Sequence, residues 1–173
     1  MMLHWIDEMD FGHLCKNNPC GFSGFKTVEE LEKEKCASVP GQMGVYLVLC
    51  PSTEKPGFTS WPDDSSGKMN KPKTSDALAA NWISGSHIVY IGKAGGPGFE
   101  QTLRKRLQGY LQGRGGKKGP HQGGRDIWQI ENPEQLIFVW RVMEDEDPRT
   151  CEKTLLDKFK SEFGRYPFAN KQG

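Results

Sequence analysis

No apolar stretch in the 173 residues approaches the length of a membrane span. The opening MMLHWIDEMD places acids where a secretory signal would carry positive charge followed by an apolar run. These two absences predict a soluble, cytoplasmic chain with no membrane partner. Net charge is scarcely present either: 23 basic and 22 acidic residues leave a formal +1. That excludes an indiscriminate polycation, so any affinity for nucleic acid must come from local clustering of Lys and Arg. A disulfide scaffold is disfavoured too, because the five cysteines, Cys15, Cys20, Cys36, Cys50 and Cys151, are odd in number and irregularly spaced. They read as reduced thiols. Cys15 and Cys20, with His13 and His4 nearby, are donors that zinc accepts, but a second CxxC-like half is lacking. No repeat and no heptad is visible.

What is present suits one domain spanning residues 1–173: 35% of the residues are hydrophobic and 26% charged. After an N-terminal extension of residues 1–40 that includes one short helix, the order is strand, strand, helix, strand, helix. Thr27 and Glu30 form a capping-box pair, predicting a helix from Val28 to about Cys36. A strand follows over Gly44–Cys50. Residues 51–86 are a long polar insert rich in Pro, Ser, Lys and Gly, with helical character only in ALAANWI, Ala77–Ile83. HIVYIG is the second strand. EQTLRKRLQGYLQG places Leu103, Leu107, Tyr110 and Leu111 at helical spacing before Gly113, and EQLIFVWRVME supplies a third strand. The last helix starts at Asp147 and Pro148 and stops at Gly164.

The glycine run after the second strand, GKAGGPG, invites a nucleotide-binding reading that its spacing refuses. Lys93 is followed by Ala94 rather than Ser or Thr, no glycine lies where a P-loop needs it, and G-x-G-x-x-G does not occur in the run.

Three sets of residues fit poorly with bland packing. In the last helix Leu155, Leu156, Phe159 and Phe163 define an apolar stripe, and Glu152 lies three, four and seven residues before the first three of them. A carboxylate on that side needs a cation, whether a metal, an Arg or a Lys. The alternative is an edge position reaching solvent near the helix start, where the macrodipole favours an acid. Arg106, four residues before Tyr110, lies beside the stripe of its own helix. Arg104, Lys105, Arg106, Arg114, Lys117, Lys118 and Arg125 then give seven cations between Glu100 and Asp126 with no acid among them. Threaded with glycines, they are either a footprint for a nucleic-acid backbone or a solvated basic loop. Finally, Tyr46 and Tyr90 fall on adjacent strands, which is ordinary packing unless they converge with Arg106 and Glu152.

GVY at Gly44–Tyr46, YIGKA at Tyr90–Ala94, LRKRLQGYL at Leu103–Leu111 and CEKTLLDKFK with the later Asn170 resemble, in order and type, the GIY-YIG nuclease superfamily. The strand-to-helix portion is similar to the N-terminal nuclease module of bacterial excision repair. The resemblance covers about Gly44 to Asn170. It departs from the family pattern in the long separation of the two tyrosine motifs, in Val45 for the commoner Ile, and in the distance from Glu152 to Asn170, with Pro167 between.

The resemblance implies an α+β fold: a small three-stranded antiparallel sheet flanked by helices, with the site on one face. It implies that Tyr46 and Tyr90 are the motif tyrosines and Lys93 the lysine of the second motif. Arg106 becomes the catalytic arginine, Tyr110 takes the place of a His or Tyr, Glu152 is the single metal-binding carboxylate, and Asn170 is the closing asparagine. The expected activity is metal-dependent hydrolysis of phosphodiester bonds in DNA, with Mg²⁺ or Mn²⁺ on Glu152. Water would be activated by a tyrosine, preferably Tyr46. A tyrosine titrates ordinarily near ~10, so it would need help from the metal and Lys93. Arg106 would stabilise charge on the phosphate. One such site cuts one strand, so cutting both requires a dimer or successive nicks. A nucleic-acid-binding module without turnover, and a purely structural or protein-binding domain, are the competing classes.

Overall fold

The computed structural model describes residues 4–7, 9–11, 20–60, 73–114 and 125–171. Its elements, in chain order, are α1 (His4–Asp7), β1 (Ser23–Thr27), α2 (Val28–Lys33), β2 (Gly44–Leu49), α3 (Ser75–Asn81), β3 (Ile88–Ala94), α4 (Leu103–Gln112), β4 (Ile137–Val142) and α5 (Pro148–Phe163). Short 3-10 turns occupy Arg125–Gln129 and Pro133–Gln135.

The sheet has four antiparallel strands in the order β1-β4-β2-β3, not the three expected. The addition is Ser23–Thr27, which pairs with β4 from Ser23 opposite Trp140 to Thr27 opposite Ile137. Its sequence, SGFKT, lacks the alternation that marks a half-buried strand. A bulge between Gly24 and Lys26, with Phe25 at φ 51°, breaks the period that would have revealed it. The other three strands lie where their β-branched and aromatic runs place them.

Helix boundaries follow local chemistry. Thr27 and Glu30 close a reciprocal box at the start of α2, the Thr27 amide donating to the Glu30 carboxylate at 2.8 Å and the Glu30 amide to the Thr27 hydroxyl at 3.1 Å. The helix ends at Lys33, short of Cys36, because Lys35 and Cys36 take positive φ values of 52° and 59° that no right-handed helix continues. α5 begins on Asp147, whose side chain accepts from the Arg149 amide, and stops at Gly164 with φ 78°.

Strand alternation divides the core between the two sheet faces. On one face Tyr46, Val48, Tyr90, Phe138 and Trp140 pack with Val28 and Leu31 of α2 and with Leu103, Leu107 and Tyr110 of α4. On the other, Val45, Leu47, Ile91 and Val139 pack under Cys151, Leu155 and Phe159 of α5, and N-terminal Trp5, Ile6, Met9, Phe11 and Phe22 complete that layer.

The segment expected as an insert is tied to this body at both described ends. Buried Gln129 donates from Nε2 to the carbonyls of Thr59 at 3.1 Å and Lys73 at 2.9 Å, while the Thr59 amide donates to the Gln129 carbonyl at 2.7 Å. Thr59 and Lys73 are thus held side by side, with α3 following as the helix foreseen in ALAANWI. Among the described residues no helix is long and apolar enough to cross a membrane.

Candidate functional site

β2 and β3 bring the two motif tyrosines together. Their register sets Tyr46 opposite Gly92 and Val48 opposite Tyr90. A side chain at position 92 would place its Cβ 2.5 Å from Tyr46 Cζ and 2.6 Å from its hydroxyl, so only glycine lets the Tyr46 ring cross β3 there. The rings of Tyr46 and Tyr90 stand 6.0 Å apart between centroids. α4 adds Tyr110, 6.2 Å from the first and 5.6 Å from the second. Trp128 of the 3-10 turn packs on Tyr110 at 5.6 Å.

Arg106, one turn before Tyr110, reaches this group, its Nε donating to the Tyr46 hydroxyl at 3.5 Å. α4 is held for that task at its first turn, where the amides of Leu103 and Arg104 donate to the carbonyls of Gln42 and Pro40 at 2.8 and 3.0 Å. Those carbonyls lie just ahead of β2, which fixes α4 against the strand that carries Tyr46.

Burial dominates the electrostatics of the tyrosines. Tyr46 has no exposed surface, Tyr110 retains 2% and Tyr90 7%. Desolvation drives all three hydroxyls above the ordinary tyrosine value, with Arg106 pulling each in the opposite direction and losing. The cationic lowering of the tyrosines comes from Arg106, and it does not prevail in the free protein. Lys93 acts elsewhere. Within β3 it follows Ile91 onto the α5 side of the sheet, away from Tyr90.

There Lys93 is the leading favourable charge on Glu152, ahead of Arg106 and Arg149. Half-buried Glu152 follows Cys151, which is fully buried; the most deeply buried line of α5 is Pro148, Cys151, Leu155 and Phe159, and Glu152 flanks it. Burial pushes the Glu152 carboxyl above its usual value in spite of three surrounding cations. The site therefore gathers about strand β3: Lys93 reaches Glu152 from the α5 side, and Glu152 in turn acts on Tyr46 and Tyr90 and feels Arg106.

The remaining expected residues have distinct placements. The Asn170 side-chain amide is joined to the backbone of Ile91, with Oδ1 accepting from the amide and Nδ2 donating to the carbonyl, each at 2.9 Å. Arg104 spends its guanidinium on the carbonyls of Val39 at 2.8 Å and Ala37 at 3.2 Å. Arg114 pairs with Glu32 at 2.6 Å and Glu134 at 3.5 Å. Lys105 is exposed and Arg125 half-buried. Lys117 and Lys118 lie outside the described residues, as do Cys15, His13 and the His4 side chain.

Two residues near the site escaped the sequence reading. Arg149 stands three residues before Glu152, a spacing that puts both on one helix face and could have marked it. Phe99, in the loop after β3, carries no periodic signal at all.

Among the described residues no group of three His, Cys, Asp or Glu is arranged to hold a metal ion. A cation here would rest on Glu152, with water and substrate oxygens completing its shell, an arrangement that Mg²⁺ accepts because it keeps several waters. A carboxylate whose burial is incompletely offset fits that role, since an added positive charge relieves the desolvation cost. No family model, no curated protein and no solved structure matches the chain.

Proposed function

We propose that the protein hydrolyses phosphodiester bonds in DNA, with one Mg²⁺ or Mn²⁺ ion bound through Glu152. The observation that supports this reading best is the gathering of Tyr46, Tyr90, Arg106, Lys93 and Glu152 from β2, β3, α4 and α5 around one strand. Packing needs no such group. A hydrophobic core gains nothing from three neighbouring tyrosine hydroxyls, a half-buried guanidinium and a half-buried carboxylate, and burying them costs free energy that structure alone does not repay.

The roles follow from charge and burial. Arg106, permanently cationic, faces the non-bridging oxygens of the scissile phosphate and stabilises the negative charge that grows there. Tyr90, kept neutral by desolvation and retaining a little exposed surface, orients the attacking water through its hydroxyl, while fully buried Tyr46 positions Arg106 by accepting from its Nε rather than activating the water itself. Lys93 and Arg106 hold Glu152 toward its ionised form. Glu152 would hold a divalent ion, which when bound would supply Lewis-acid polarisation of the phosphate and charge stabilisation at the leaving oxygen. Exposed Lys105 offers a charge to the DNA backbone on the flank of α4. Cutting by one such site yields a nick, so cleavage of both strands requires two copies or two events.

The test is nicking of supercoiled plasmid with Mg²⁺ or Mn²⁺. Glu152→Gln and Arg106→Ala should each abolish nicking while salt-sensitive DNA binding persists. Undiminished cutting by both variants would overturn the assignment. If the wild-type chain binds DNA yet cuts neither DNA nor RNA with either ion, the protein is a binding module instead.

A further inference from the structure

The loop from Gly95 to Thr102, between β3 and α4, carries a feature that hydrolysis itself does not require. Among the described residues Phe99 is the large hydrophobic side chain left exposed, at 63%. A lone exposed aromatic is unremarkable on a mobile tip, but this one sits on a constrained turn. The Phe99 amide donates to the Gly96 carbonyl at 2.9 Å, and the two residues form an isolated antiparallel bridge. Gly95, Gly96 and Gly98 adopt φ values of 78°, 132° and 79°, which side-chain-bearing residues rarely take. The backbone is thus shaped to present residue 99 outward.

Its neighbours tie the ring to the site. The Arg149 guanidinium carbon lies 5.8 Å from the Phe99 ring centroid, within cation–π range. Arg149 is also one of the three cations acting on Glu152, and it follows Asp147, the cap of α5, whose Oδ1 lies beside Gly96. A continuous line therefore runs from exposed Phe99 through Arg149 to Glu152 and on to Arg106 and Tyr46. An exposed aromatic ring with an exposed guanidinium lying over it matches the two parts of a nucleotide, a base with a π surface and a phosphate with negative charge.

We propose that Phe99 is a stacking platform for an unpaired nucleobase adjoining the scissile phosphate, with Arg149 holding that nucleotide's phosphate. The inference rests on the phosphodiesterase reading for where the phosphate lies, and it adds the form of substrate: a strand with a base out of the stack, at a single-stranded segment, a frayed end or a distorted duplex. Stacking is tolerant of base identity, so the subsite selects for structure rather than sequence.

The experiment measures binding and cutting separately. In EDTA, a single-stranded oligonucleotide carrying 2-aminopurine is titrated with the full-length wild type, Phe99→Ala, Phe99→Trp and Phe99→Leu. Wild type and Phe99→Trp should quench the probe, and Phe99→Ala should lose quenching and bind about tenfold more weakly. The same change on a fully paired duplex should be small. Equal binding and quenching by wild type and Phe99→Ala, or full restoration by Leu, overturns the platform. Cleavage with Mg²⁺ is then compared. Cutting with a KM unaffected by Phe99→Ala removes the platform and leaves the hydrolase reading standing. Phe99-dependent quenching by a wild type that cuts nothing leaves the platform standing and removes the hydrolase reading.

Discussion

Asn170 holds Ile91 by both of its backbone groups, accepting from the amide and donating to the carbonyl at 2.9 Å each. Together with the Ala169 amide, which donates to the Val89 carbonyl at 2.9 Å, it covers the outer edge of β3, an edge strand of the sheet. β3 carries Tyr90 and Lys93, so Ala169 and Asn170 bear on the site through the strand that carries it. Asn170→Ala should lower stability by about 1–3 kcal/mol, since it leaves both groups of a buried residue unpaired. Asn170→Asp should cost more, because a carboxylate oxygen would then face the Ile91 carbonyl. Urea unfolding checks both; an unchanged midpoint for Asn170→Ala would show that the pairing contributes nothing.

The Glu152 carboxyl is raised by burial and lowered first by Lys93, then by Arg106 and Arg149. A folded value above the unfolded one means that the native state binds this proton more tightly. The stability contribution is therefore fully present below the unfolded pKa and is lost as pH rises through the folded one. In the metal-free protein the titration of Glu152, followed by NMR of its side-chain carboxyl carbon, should therefore lie above the ordinary carboxylate range. Lys93→Met should move that titration to higher pH, and Lys93→Arg should restore it. A titration that stays put in Lys93→Met would remove Lys93 from this role.

Tyr110 presents the opposite case, a buried hydroxyl with no hydrogen-bond partner among the described residues. Such a group bears its desolvation cost uncompensated, so Tyr110→Phe should leave stability unchanged or raise it by about 1 kcal/mol. Tyr46→Phe loses the contact with Arg106 and should not be stabilising. Thermal unfolding of the two variants side by side distinguishes them. If Tyr110→Phe also loses nicking activity, the hydroxyl is retained for chemistry at the expense of stability.

Adjacent cations on α4 should behave differently. Arg104 donates to two backbone carbonyls, whereas Lys105 is exposed. Arg104→Gln should destabilise the fold by roughly 1–3 kcal/mol, because charged hydrogen bonds to the turn after α2 are lost. Lys105→Gln should leave stability alone, weaken DNA binding and reduce the magnitude of the salt slope by about 1. A reversed pattern would mean that Arg104 releases those carbonyls to meet DNA.

Much of this architecture is written locally. Three strands, the caps at Thr27 and Asp147 and the stop at Gly164 follow from β-branched runs, side-chain oxygens and a residue free to take positive φ. β1 was not legible, because its bulge and its glycine erase alternation and its pairing partner lies far along the chain. The candidate residues were legible as types at spacings, and Glu152 and Arg106 stood out because a charge beside an apolar stripe demands an explanation.

The sequence by itself determined which side chains were available and which elements carry them, since capping, turn formation and hydrophobic periodicity act over a few residues. Only the tertiary structure decided who meets whom. It set Lys93 against Glu152 rather than against a tyrosine, tied Arg104 and Arg114 to partners within the chain, turned Asn170 toward a strand edge, and placed Phe99 in line with Arg149. Those choices depend on strand register, on which sheet face a residue occupies, and on close approaches such as Tyr46 across Gly92. They arise from packing between segments distant in sequence, which no local pattern encodes.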